Sequence, residues 1–203
     1  MGKVAIMKRR TGPSKGDLRE AAILDAARTL FAEQPYDAVT IDDLARAAGL
    51  SRTGFYFYFR TKAAVLTALM ARFWDVLGAS HVWFDSTGPS PVLLREQLLA
   101  SAQLWREHAG VLSCAPGTAE VREFNARVTA RHDERCAEKI SRDQQLGTAT
   151  TTIPANRLAE MVGAIRDARW SQMANASDAE LDDAVQDIAE AIQRLVYGPT
   201  PVS

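Results

Sequence analysis

A chain of 203 residues, 47% apolar and 24% charged, is long enough for one sizeable core or for a small domain joined to a larger one. With 12 glycines, 8 prolines and 7% aromatics it is neither collagenous nor disordered, and its longest run without a charged side chain, 144–156, is too polar to cross a membrane. The formal charge of −1 speaks against nucleic acid for the whole chain, yet residues 1–62 hold 11 Lys/Arg against 7 Asp/Glu while residues 63–203 hold 13 against 18, a basic front on an acidic body.

Residues 1–16, with Lys8, Arg9, Arg10 and Lys15, are expected to form a disordered basic arm that gains from counterion release on a polyanion. Over 17–33, Ile23, Ala26, Ala27, Leu30 and Phe31 recur at helical spacing, one buried face of a helix that Pro35 stops. Thr40 opens the next helix with Asp43 at the capping-box position; Ile41, Leu44, Ala45 and Ala48 form its inner face and Gly49 closes it. Ser51 caps a short helix over 52–58, and Thr61 caps a longer one over 61–80. After the break at 88–91, Leu94, Leu98, Leu99 and Ala102 mark a helix to His108. Pro116 separates it from a long helix over 118–145 that carries Val121, Phe124, Val128, Cys136 and Ile140. A flexible loop over 147–153 leads to Pro154, suited to a first helical turn, and to a helix with Leu158, Met161, Val162 and Ile165 on one face. Ser177 and Glu180 frame a capping box for the last helix, whose Leu181, Val185, Ile188, Ile192 and Leu195 alternate by four and three. No stretch reads as a strand of useful length. The fold class is all-α, about nine helices, with a three-helix front over 17–62 on a larger body over 63–203.

The segment from Thr40 to Phe59 has the form of a helix-turn-helix. Phe55 and Phe59, four apart, anchor its second helix inward and leave Arg52, Thr53 and Tyr56 outward. That face suits a DNA major groove. Arginine donates two bonds to guanine, threonine and tyrosine touch phosphate or a thymine methyl, and Gly54 permits close approach. Tyr58, Arg60 and Lys62 stand where phosphates flank the groove. Helical hairpins closed by glycine are common in proteins that never meet DNA, so the run Phe55-Tyr56-Phe57-Tyr58-Phe59 is the more telling feature. Five consecutive aromatics cannot all be buried on one short helix.

Thr40 to Ser51, followed by Phe55 to Lys62, resembles the DNA-binding signature of TetR-family transcriptional regulators; with the preceding helix it covers about 20–66. The resemblance implies a homodimer on a double-stranded, palindromic operator, a small-molecule effector in the body, and the role of a repressor. It also implies DNA contacts at Thr40, Ser51, Arg52, Thr53, Gly54, Tyr56, Tyr58 and Lys62, to which the arm adds Arg9 and Arg10. The family's usual histidine before the final aromatic is Tyr58 here, so a phosphate bond at this position comes from a hydroxyl that does not titrate near neutral pH.

The spacing of the last helix, with the apolar face of its predecessor, predicts a four-helix dimer seam of Leu158, Val162, Ile165, Leu181, Val185, Ile188, Ile192 and Leu195, with packing on their own body as the competing reading. An apolar pocket is expected to draw on Trp83, Phe84, Leu104, Trp105, Leu112, Phe124, Val128, Ile165 and Trp170, with plain core the competing reading of each. Arg131, Arg166 and Asp167 flank apolar faces; internal ion pairs are the expected role and an anionic ligand the alternative. His132 and Cys136 lie one turn apart, but two ligands do not make a metal site, and neither a metal nor a cofactor is expected. Cys114 and Cys136 read as free thiols, and Met1–Arg10 lacks the apolar core of a secretion signal, so a cytoplasmic location is expected. The chain has no nucleophile elbow, P-loop, dinucleotide fingerprint or H-E-x-x-H, which argues against an enzyme. The alternative is a helical binding protein or enzyme whose three-helix head does not regulate transcription.

Overall fold

Serine and threonine side chains decide where this chain starts most of its helices. The computed structural model describes residues 14–113, 118–173 and 175–199, and among them lie nine α-helices and no strand. These are α1 (Lys15–Glu33), α2 (Ile41–Ala47), α3 (Arg52–Tyr56), α4 (Lys62–Ala79), α5 (Pro91–Glu107), α6 (Ala109–Ser113), α7 (Ala119–Gln145), α8 (Ala155–Trp170) and α9 (Asp178–Tyr197). Ser14, Thr40, Ser51, Thr61, Thr118 and Ser177 each accept a backbone N–H from the first turn of the helix they open. At Ser14, Thr40 and Ser177 the acidic residue three places on returns a bond to the cap's own N–H. The Ser14–Asp17 box starts α1 two residues earlier than the apolar periodicity suggested. The expected arm, with Arg9 and Arg10, falls largely on 1–13, outside the described residues, as does Cys114.

Between α2 and α3 the chain turns on Gly49, at φ +67. The amides of Gly49 and Leu50 fold back onto the carbonyls of Arg46 and Ala45 at 3.1 and 2.8 Å, which satisfies the end of α2. α3 is shorter than the expected 52–58, because the Tyr58 amide bonds the Phe55 carbonyl at 2.9 Å and tightens the last turn. That tightening carries Phe59 back into the core. Two elements were not expected: a 3-10 turn at Tyr36–Ala38, and α6.

The described residues form two apolar cores. The first joins α1, α2 and α3 around Ile23, Phe31, Leu44 and Phe55, and it is completed by Val65, Leu66, Leu69 and Met70 of α4 with Val111 of α6 and Val121 of α7. The second lies in the body, where α7 packs along α8 and α5 along α9. Leu158, Val162, Leu181, Val185, Ile188 and Ile192, expected on a dimer seam, are buried in this second core of the single chain. At 0–4% exposure these six offer a partner almost no surface; Ile165 and Leu195 remain partly open, and Ile188 edges the outer groove beside Ile165. The physical reason is that α5, whose Leu94, Leu98 and Ala102 form an apolar row, covers the stripe of α9 first.

Trp83 and Trp170, expected in a pocket, are likewise core. The Trp83 indole donates to the Pro89 carbonyl at 3.1 Å, and that of Trp170 donates to Ser101 Oγ at 3.1 Å. Phe84 packs beside them, and Trp105 stands edge-on to Phe73. Arg166 takes the expected ion-pair role, with its Nε 2.8 Å from Asp167. Cys136 is fully buried and burial pushes its thiol up to about 12, which leaves it inert. Near it, Lys139 and Asp143 form a buried pair that also binds the Gly88 backbone and the Tyr197 hydroxyl.

Candidate nucleic-acid interface and the body cavity

α3 is held from behind and open in front. Phe55 is fully buried and Phe59 nearly so, their rings 6.2 Å apart against the first core, while Arg52, Thr53 and Tyr56 face solvent. Ser51 Oγ accepts from the Gly54 amide at 3.0 Å, and a Cβ at Gly54 would lie 3.2 Å from that oxygen. Glycine therefore keeps the cap tight as well as keeping the surface low. Thr40 serves as a cap too, its hydroxyl engaged with Asp43.

The arginine has neighbours that no spacing rule revealed. Arg52 donates to Asp42 Oδ2 at 2.6 Å and to the Tyr56 hydroxyl at 3.3 Å, and its guanidinium lies 5.7 Å from the Tyr56 ring centre. Asp42 comes from α2, so the first helix of the pair orients the reading side chain of the second. Phe57, not singled out from sequence, is the most exposed aromatic of the run at 84%, with Tyr58 half-buried and edge-on against it at 5.4 Å. Lys62 departs furthest from expectation. Its ammonium donates to the carbonyls of Tyr36 and Val39, the latter at 2.7 Å, and sits 4.1 Å from the Tyr36 ring centre. Two of its three hydrogens fasten the 3-10 turn, which leaves one for a phosphate.

In the body a cavity of about 330 Å³ between α1, α4 and α6 takes Leu112 into its wall. A larger one, about 510 Å³, opens between α4 and α7. Of the expected pocket residues Phe124 and Val128 line it, whereas Leu104, Trp105 and Ile165 do not. Arg131, singled out beside an apolar face, lines it too; its other walls were missed: Trp74 and Asp75 of α4, His81 after it, and Arg127 and Arg135 of α7. Burial, with His132, Arg135 and Arg166 close by, pulls the His81 imidazole down to about 3, so it is neutral at physiological pH. Ile165 lies instead on an outer groove between α8 and α9, with Ala168 and Ala191.

A family profile described as "Bacterial regulatory proteins, tetR family" matches residues 23–69, which span α1 to the first turns of α4. The HTH-type transcriptional regulator EthR of Mycobacterium tuberculosis is 30% identical over 161 residues, covering 74% of this chain and 73% of EthR. EthR of Mycolicibacterium smegmatis is 28% identical over 96% of this chain and 93% of its own length. The crystal structure of NalD, described as the secondary repressor of the MexAB-OprM multidrug efflux pump in Pseudomonas aeruginosa, superposes with a TM-score of 0.71 at 20% identity, over 90% of this chain and 98% of NalD. These relatives are transcriptional regulators, not enzymes. A reading helix anchored by Phe55 and Phe59, on a chain that shares 30% of its residues with EthR over three quarters of both lengths, is that of a DNA-binding transcriptional regulator, and the chain belongs to the TetR family.

Proposed function

We propose that the protein is a homodimeric repressor that grips a palindromic operator and lets go when a small molecule enters its body. In this reading residues 1–16 are a basic arm, 17–62 the DNA-binding head, and 63–203 the ligand-binding and dimerisation body. The observation that carries it is the outer face of α3: Arg52, Thr53 and Tyr56 exposed together on a helix whose opposite face is locked in the core. Arg52 reads a base edge, Thr53 and Tyr56 contact phosphate or a thymine methyl, and Thr40, Ser51, Gly54, Tyr58 and Lys62 shape or flank the phosphate seat. Arg9 and Arg10 add non-specific affinity.

Two such helices enter successive major grooves only when held about 34–36 Å apart, so the dimer sets the reading distance. The part of α8 and α9 left open for a two-fold partner is the groove of Ile165, Ala168 and Ala191, bordered by Leu195 and by Met161 at 37% exposure. A ligand that tilts α4, which runs from the head core into the body, changes that distance. NalD is described as a repressor, which favours that sign of regulation here.

The test is fluorescence anisotropy with the DNA upstream of the gene, over a salt series. Specific binding that weakens steeply with salt is expected, and Arg52→Ala should lose about ten-fold or more of the discrimination at a single base pair. Arg52→Ala with unchanged affinity and preference would remove the assignment of the reading face.

A further inference from the structure

The cavity between α4 and α7 is walled for a charged guest. Trp74, Phe124 and Val128 supply apolar surface, but the α7 side presents three arginines one helical turn apart, Arg127, Arg131 and Arg135. The outer two are already paired, Arg127 with Glu123 at 2.7 Å and Arg135 with Asp85 at 2.9 Å. Arg131 has no ion-pair or hydrogen-bond partner among the described residues. The carboxylate of Asp75 lines the same cavity and forms no ion pair with any of the three.

Further in, two polar atoms have lost water without gaining a partner: the indole Nε1 of Trp74 and Nδ1 of His81, a residue only 7% exposed. Neither atom has surface open to the cavity, so what the cavity offers a guest is the Arg131 guanidinium, exposed and without a protein partner, beside the apolar Phe124 and Val128. The His81 imidazole is uncharged, so it donates or accepts according to its tautomer. The cavity also borders α4, the helix that the proposed function has tilting the DNA-reading head. Its α4 wall continues down to Lys62, and the His81 ring stands 5.3 Å from that of His132, which bonds Arg166 on α8.

We propose that this cavity takes a small organic carboxylate as effector: the anion on Arg131 and an apolar body against Phe124 and Val128. The inference rests on the ligand-responsive reading above and gives that ligand its chemical class.

The experiment uses the full chain without DNA and calorimetric titration with hexanoate, octanoate, decanoate and 4-phenylbutyrate, each beside the alcohol of the same skeleton. At neutral pH at least one acid is expected to bind about ten-fold tighter than its alcohol. Arg131→Gln, exposed at the rim and so harmless to the fold, should abolish that preference while leaving the alcohol's affinity within about two-fold. Arg127→Gln should preserve it. Equal binding of acid and alcohol, a preference that survives Arg131→Gln, or no acid of the set binding at millimolar concentration each overturns the proposal. Release of upstream DNA is read separately by anisotropy. An acid that binds through Arg131 without loosening DNA keeps the anion site and overturns its effector role; acid and alcohol loosening DNA alike keeps the ligand-responsive reading and overturns the anion class.

Discussion

Arg52 stands at the centre of the reading face, and in the free protein it is bound to Asp42. Both side chains are more than half exposed, so the pair adds little to stability. Its consequence lies in binding: to reach a guanine edge the guanidinium leaves or shares Asp42, and that carboxylate also faces incoming phosphates. Asp42→Asn is therefore expected to tighten operator binding about three-fold or more, with an unchanged thermal midpoint, since Arg52 keeps its contact with Tyr56. Anisotropy beside a melting curve checks both halves, and weaker binding by Asp42→Asn would mean that Asp42 orients Arg52 productively. Lys62 shows the limit of legibility at this scale. Thr40 and Ser51 were readable as caps because their partners lie three residues on. The partners of Lys62 are backbone carbonyls 26 and 23 residues earlier, and a carbonyl leaves no mark in the sequence.

Among elements, the buried cluster of Lys139, Asp143, Gly88 and Tyr197 ties α7 to α9 and to the loop before α5. Burial by itself raises the Asp143 carboxyl, but the Lys139 ammonium, the Tyr197 hydroxyl and the Gly88 amide outweigh it and hold the group below its ordinary value. Removing one partner strands the other charge in a dry site. Lys139→Met should thus cost about 3–5 kcal/mol in urea unfolding, whereas the double variant Lys139→Met, Asp143→Leu should recover most of that loss. A double variant no better than the single would place the cost in the Gly88 loop rather than in the orphaned charge. The helices themselves were largely legible, because capping and apolar period are local signals. Where a stripe finds its partner is not local: the alternation of Leu181, Val185, Ile188 and Ile192 marks a face to be buried, and α5 of the same chain buries it before a second chain can. For the same reason the head core takes Val111 and Val121 from helices far along the chain, so residues 17–62 lack part of their own packing when taken alone.

For the whole molecule, the division of charge between front and body was visible by counting, because charge is additive along a chain. The α4–α7 cavity was not, because it is the space left where two helices fail to close, and its walls mix side chains some 50 residues apart. The titration of the molecule follows from that same region. His81 is held neutral by burial, down to about 3, and burial also lowers His132 although Asp133 partly opposes it. In the unfolded chain both imidazoles return toward 6.5. Above that value neither state binds the proton and stability is flat; below it the unfolded chain takes up protons that the folded chain refuses, and folding loses ground as pH falls toward the folded values. Asp43, Asp143 and Glu180 act in a lower window, since their depressed values keep their contribution intact until pH drops past the ordinary carboxylate range. Urea midpoints measured from pH 7.5 down to 5.5 should therefore be level at first and then decline, by up to about 1.4 kcal/mol per pH unit for each histidine. His81→Phe keeps a ring against Phe84 and His132 and should remove roughly half of the decline. A midpoint that stays constant to pH 5.5 would mean that the α4–α7 region admits water and lets both histidines charge in the folded chain.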